Sequence, residues 1–211
     1  MAIIQLRNEA GDTSKFDFKK EFQPRKFCMT ESIMTEISRR YRLTHENLLD
    51  LVDGLTEEQI GWRPNATTLC VGFHVWHLAR WADYLQEIIN GRGSQLWERQ
   101  GMAARWNMET AGLGYAQTGM SMDDETAVAL RIPRKDLLLD YARRAFALAE
   151  QAVETINDNE FYKIYETLHG ENWHDGHIGP IIFTWMTHDN RHLGMIECLV
   201  GIQGMQGSAD S

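Results

Sequence analysis

The stretch Thr184-Trp-Met-Thr-His188-Asp-Asn-Arg-His192-Leu-Gly-Met-Ile-Glu-Cys-Leu-Val-Gly201 decides how this chain is read. His188 and His192 stand one helical turn apart. Four residues of α-helix advance about 6 Å, so both imidazoles point the same way. Ile181, Trp185, His188, His192, Met195 or Ile196, and Leu199 recur at helical spacing on one stripe, while Asn190, Arg191 and Glu197 fall elsewhere. The pair therefore faces whatever the helix packs against. With eight histidines in 211 residues, such a pair is either half of a metal site or two hydrogen-bonded core residues. A third ligand separates the two readings.

Working outward, Pro180 opens this helix and Gly201 ends it. The connection before it, residues 160–179, holds His169, His174 and His177. Those three could bind a second metal, but loop histidines beside Glu171 and Asp175 are more often solvated. A third helix starts near Pro133, a residue favoured in a first turn, and keeps the stripe Leu137, Tyr141, Ala145, Leu148, Ala152 and Ile156. The first helix covers residues 30–52, with Ile33, Ile37, Tyr41, Leu48 and Val52 inward and Thr30 as its cap. Thr56-Glu-Glu-Gln59 has capping-box spacing. A second long helix runs from about Thr68 to Asn90 and is stopped by Gly91.

Between the second and third helices lies a Gly- and Met-rich segment of about forty residues, far longer than a tight turn. It reads as a crossover with short helical pieces, one near residues 123–130. Four amphipathic segments, one crossover and no strand pattern predict an all-α four-helix bundle, whose metal sites sit between facing helices. The predicted organisation is an N-terminal extension (1–29), the bundle (30–203) and a polar tail (204–211).

The bulk numbers suit a single domain with a substantial core: 43% hydrophobic and 24% charged residues. A net charge of −9 without a Lys/Arg cluster argues against nucleic acid and against an anionic membrane surface. No apolar run approaches a membrane span, and no signal-peptide core is present. Cys28, Cys70 and Cys198 read as free thiols of a cytoplasmic protein, Cys70 and Cys198 as buried ones.

The second helix offers the missing ligand. Phe73-His74-Val-Trp-His77-Leu-Ala-Arg80-Trp81 carries two histidines near the inward stripe. One of them with His188 and His192 makes a three-imidazole site suited to Zn²⁺, Ni²⁺ or Fe²⁺, with positions left open. Periodicity leaves His74 and His77 both in play. Arg80 and Arg191 lie within a turn of the ligands, where either an anionic substrate or a surface ion pair accounts for them. Trp76, Trp81 and Trp185 read as core, one of them walling the pocket.

The run Gly54-Leu-Thr-Glu-Glu-Gln-Ile-Gly-Trp-Arg-Pro64, then Val71-Gly-Phe-His-Val-Trp-His77-Leu-Ala-Arg80, then His188-Asp-Asn-Arg-His192 resembles the DinB-like superfamily. Leu96-Trp-Glu-Arg99 and the Gly-Met-Ser segment at Gly119 resemble one branch of it. The likeness spans about residues 30–202. That group includes YfiT-like metal-dependent hydrolases and the bacillithiol and mycothiol S-transferases. The resemblance implies a four-helix bundle with a long crossover and a metal triad of His77, His188 and His192. His74 then lines the cavity or supports the ligands from behind. Related sulfoxide synthases carry a Glu two residues after the last histidine; Gly194 stands here, which disfavours iron-dependent oxidative chemistry.

The expected function is a divalent-metal enzyme, zinc or nickel first and iron third. It would transfer a low-molecular-weight thiol to a small electrophile, or hydrolyse a small substrate. His74 is the catalytic candidate, because Asp189, one residue after His188, is expected to point away from the cavity. The alternative is a non-catalytic metal- or small-molecule-binding stress-response bundle. A homodimer is the expected assembly.

Overall fold

A computed structural model describes residues 32–91, 93–108, 112–165 and 176–207. Four long helices dominate it: α1 (Ile33–Asp53), α3 (Val71–Asn90), α7 (Lys135–Glu154) and α8 (Ile178–Ile202). Between them lie α2 (Glu57–Gly61), α4 (Leu96–Arg99), α5 (Met102–Arg105), α6 (Asp124–Ala129) and a 3₁₀ turn at Asp158–Glu160. Among the described residues there is no extended strand, only two isolated bridges. The long helices pack in a ring: α3 on α7, α7 on α1, α1 on α8, and α8 back on α3. The all-α fold expected from the sequence is what the chain adopts.

The starts of the helices follow from local chemistry. Ser32 caps α1 by accepting from the Thr35 amide, and Asp158 takes the Ser32 hydroxyl at 2.7 Å and the Met34 amide at 2.9 Å. The Thr56–Gln59 capping box forms as the spacing predicts. The second long helix starts at Val71, later than expected, because the Asn65 carboxamide binds the amides and hydroxyls of Thr67 and Thr68 and holds both in a turn. α7 begins two residues after Pro133, where Glu57 accepts from the Lys135 amide at 2.9 Å. Pro180 lies inside the first turn of α8, where its missing N–H costs nothing.

Helix α3 is enclosed on almost every side: all residues from Val71 to Asp83 are buried. Its neighbours are α7, α8, α2 and α4. Such enclosure demands that its polar residues be paired, and Arg80 meets that demand. Its Nε donates to the Gln117 carbonyl at 2.9 Å. One terminal nitrogen reaches Asp83 (3.1 Å) and the Tyr141 hydroxyl (3.0 Å), the other Gln95 (2.7 Å) and the Ala116 carbonyl (2.9 Å). Its guanidinium lies 4.8 Å above the Trp97 ring. Asp83 in turn accepts the amides of Leu96 and Trp97 at 2.8 and 2.9 Å, which starts α4. The sequence suggested an anion contact or a surface ion pair for Arg80. At 1% exposure it is neither; it fastens the crossover to α3.

Two stripe positions are corrected: Ile33 (55% exposed) and Leu137 (46%) face out, and Met34 and Leu138 take the inward places. On α8, where Met195 or Ile196 was open, Ile196 is the buried one. Cys70 is buried as expected, but Cys198 is exposed. Cys28, His169 and His174 lie outside the described residues, as does the N-terminal extension. Among the described residues, no helix is long and apolar enough to cross a membrane.

Candidate metal centre

The α3–α8 contact brings His77, His188 and His192 together. One ring nitrogen from each lies within 4.8 Å of the other two. The Nε2 atoms of His77 and His188 face each other at 3.1 Å. Two nitrogens held about 2.1 Å from one tetrahedral ion would stand about 3.4 Å apart. The group thus has the spacing and the donor chemistry of a three-imidazole metal site.

The ring orientations come from neighbours that hold the far nitrogens. His77 Nδ1 lies 2.5 Å from the Thr118 carbonyl, an acceptor only, so this nitrogen carries the hydrogen and Nε2 keeps its lone pair. That carbonyl is aimed by the tight segment 115–120. Ala116 and Gln117 adopt positive φ there, and their carbonyls bind Arg80. Gly119 has φ +89, and a Cβ on it would sit 2.8 Å from the Trp76 ring and 3.1 Å from His77 Nδ1. Only glycine lets the loop come this close.

His188 Nδ1 lies 3.4 Å from the Asp189 carboxylate. Asp189 is buried, at 2% exposure, and its other oxygen is 3.4 Å from Nε2 of His45 on α1. The Nδ1 of His45 binds Glu150 on α7 at 2.7 Å. Asp189 does point away from the cavity, as expected, yet it backs a ligand. The sequence reading did not single out His45 at all. Its signal was available: His45 follows Tyr41 by one turn on the inward face of α1. Asp189 was underrated because α8 packs on both α1 and α3, so its buried sector is wide enough to hold residues 188 and 189 together.

His192 contacts His74, Nδ1 to Nδ1, at 2.9 Å. His74 is buried against His192 and is absent from the cavity lining. His177 sits apart, at the N-cap of α8, bridged to Ile164.

Burial keeps His74, His77 and His192 neutral. His74 is pushed down to about 4 by burial alone. His77 falls to about 3 through burial and then the neighbouring His188, against the pull of the Thr118 carbonyl. His192 falls to about 2 through burial and then His77, His188, His74 and Arg191. Neutral imidazole is the form that binds a metal. Behind them the logic reverses. Burial opposes charge on His45, but pairing with Asp189 and Glu150 outweighs it and raises the pKa. Burial likewise opposes charge on Asp189, and pairing with His188 and His45 lowers its pKa overall.

A cavity of about 270 Å³ opens onto the cluster, lined by His77, Trp81, Met120, Thr184, Trp185, His188 and Arg191. Trp81 and Trp185 meet edge to face at 5.1 Å, and the Trp185 indole N–H donates to the Trp81 carbonyl at 3.0 Å. Both tryptophans wall the cavity, where the sequence suggested one. Arg191 is exposed and lines it.

A helical ring with three imidazoles converging between two of its members defines an all-α protein with a candidate metal centre. The model of the DinB superfamily matches residues 40–196, and the chain belongs to that superfamily. Among solved structures it is similar to a conserved protein from Enterococcus faecalis. That match has 17% identity and a TM-score of 0.65, and covers 80% of this chain and 95% of the other; at this identity the likeness concerns the fold. No curated protein matches.

Proposed function

We propose that this protein is a divalent-metal enzyme in which His77, His188 and His192 hold the ion, zinc or nickel before iron, and that it transfers a low-molecular-weight thiol to a small electrophile. The observation that carries this choice is the cavity lining: imidazoles, indoles, a thioether, a hydroxyl and a guanidinium, with no carboxylate among the described residues. A divalent ion held by three neutral imidazoles would supply Lewis acidity, lowering the pKa of a thiol or water that reaches it. Water needs a base to take its proton during attack, whereas a thiol that has lost its proton needs no further help. The apolar walls favour the less hydrated sulfur nucleophile over water.

The surrounding residues fit these roles. Thr118, Asp189 and His74 orient His77, His188 and His192 respectively, leaving the remaining ring nitrogens for the ion. Trp81, Trp185 and Met120 exclude water from the reacting pair. The thiol proton passes to solvent, the sulfur lone pair forms the new C–S bond, and the bond to the leaving group breaks with its electron pair. Arg191 is read as the contact for an anionic part of either substrate. His74 is read as acting through His192; if His74→Ala keeps full turnover and its metal, that role is lost.

The test is conjugation of a panel of low-molecular-weight thiols to a chlorodinitrobenzene by the metal-loaded protein. Turnover with at least one thiol, lost in His188→Ala, is expected. Full metal loading with no turnover across the panel would favour the non-catalytic binding module, and turnover of an ester panel alone would favour a hydrolase.

A further inference from the structure

Imidazoles bind a metal in their neutral form, and among the described residues the cavity contributes only a cation, Arg191. Charge to balance a bound dication must come from behind the ligands. Among the described residues it is found on one side only. Asp189 is buried with one oxygen toward His188 Nδ1 and the other toward His45 Nε2, each at 3.4 Å. His45 is 1% exposed and stacks on Phe146 at 4.0 Å, with its Nδ1 2.7 Å from Glu150. Glu150 is 16% exposed and meets Arg42 at the surface at 3.5 Å.

Both ring nitrogens of His45 lie beside carboxylates: Nδ1 donates to Glu150, while Nε2 stands 3.4 Å from Asp189 in an ion-pair contact without hydrogen-bond geometry. The inner carboxylate of this Glu150–His45–Asp189 row backs His188. A buried carboxylate without a partner is strongly disfavoured. Without His45, Asp189 loses the contact that holds its second oxygen and is free to turn, and His188 then loses the acceptor that fixes which nitrogen faces the site.

We propose that His45 is a positioning residue for the metal centre: it holds Asp189 as an oriented carboxylate, and Asp189 fixes the His188 ring and supplies the counter-charge for the ion. This rests on the three histidines holding a metal, and it adds a residue from α1 that touches neither ion nor cavity. A carboxylate behind a metal-bound histidine raises the ligand's basicity, and its loss typically weakens metal binding 10- to 100-fold. His45 acts one residue further out, so the expected loss lies at the lower end of that range.

The experiment measures Zn²⁺ affinity by chelator competition and the visible absorption of the Co²⁺-loaded protein, for the wild type, His45→Gln, Glu150→Gln and Asp158→Asn. The last weakens the cap of α1 away from the site and controls for plain destabilisation. His45→Gln should weaken Zn²⁺ binding about tenfold and shift the Co²⁺ bands. Glu150→Gln, which keeps an acceptor for His45, should move both readouts less and in the same direction. Asp158→Asn should lose stability with affinity and bands unchanged. Unchanged affinity and bands in His45→Gln, or a loss matched by Asp158→Asn, would overturn the proposal. If His45→Gln does not fold, Glu150→Gln decides alone, and wild-type values in it would be fatal. A wild type that binds neither ion sinks the metal reading itself, a result distinct from these.

Discussion

Arg80 and His45 are both buried bases held by carboxylates, and they are held differently. On α3, Arg80 makes five hydrogen bonds of 2.7–3.1 Å to Asp83, Tyr141, Gln95 and two carbonyls. With Asp83 it forms a neutral pair whose partners all belong to the crossover or the core. On α1, His45 has one short hydrogen bond and one ion-pair contact of 3.4 Å, and neither its Nε2 nor the neighbouring Tyr41 hydroxyl has a hydrogen-bond partner among the described residues. This second group ends on a candidate ligand. The first group is closed and serves the fold; the second is loosely closed and reaches the site. Buried ions alone therefore do not mark function. Where the chain of contacts ends does.

Substitutions can break this contrast, and the largest effect belongs to the closed group. Arg80→Met leaves Asp83 buried without its cation, and breaking a buried pair in this way costs about 3–5 kcal/mol. Urea denaturation should register that loss. The smaller effect of Arg80→Met on metal affinity per unit of stability lost, set against His45→Gln, is the sharper comparison.

Acid should act through the cluster. His74, His77 and His192 have folded pKa values below the unfolded value of about 6.5, so the unfolded chain binds more protons as pH falls. Their contribution to stability is complete above about 6.5 and is lost as pH drops through their folded values, about 4, 3 and 2. One such histidine gives about 1.4 kcal/mol per pH unit in that window. The metal-free protein should lose stability more steeply than this between pH about 6 and about 4, as read from denaturation midpoints. His45 has the opposite sign: its raised pKa stabilises below about 6.5, and that contribution fades as pH rises through the folded value.

Gly119→Ala should cost about 1–3 kcal/mol for a non-glycine residue at positive φ. It should also weaken metal binding, because its Cβ would press on His77 Nδ1 and Trp76. Arg191→Gln should change stability by less than about 0.5 kcal/mol, as surface substitutions do, while weakening anionic substrates in steady-state assays.

Much of the fold was legible because four helices announce themselves by stripe, cap and breaker. Thr56–Gln59, Pro180 and Gly91 act locally, and local signals survive in sequence. The ligand pair His188 and His192 was legible for the same reason, since a helix turn fixes their shared face. The choice of His77 over His74 needed the family resemblance, because three residues of helix leave both near the stripe. Geometry separates them: His77 Nε2 meets His188, while His74 meets His192 from behind. Thr118, Asp189 and His45 were not legible as supports. A backbone carbonyl has no letter in the sequence, and the pairing of α1 with α8 joins residues 45 and 189 across the whole chain. Arg80 was misjudged because adjacency to a ligand in sequence says nothing of the crossover that folds over it.

The most direct test is metal analysis of protein purified without a histidine tag, with His77→Ala and His188→Ala alongside. The structure predicts about one divalent ion per chain in the wild type and far less in either variant. A wild type that binds no divalent metal even after reconstitution would make the three histidines core residues and contradict the account.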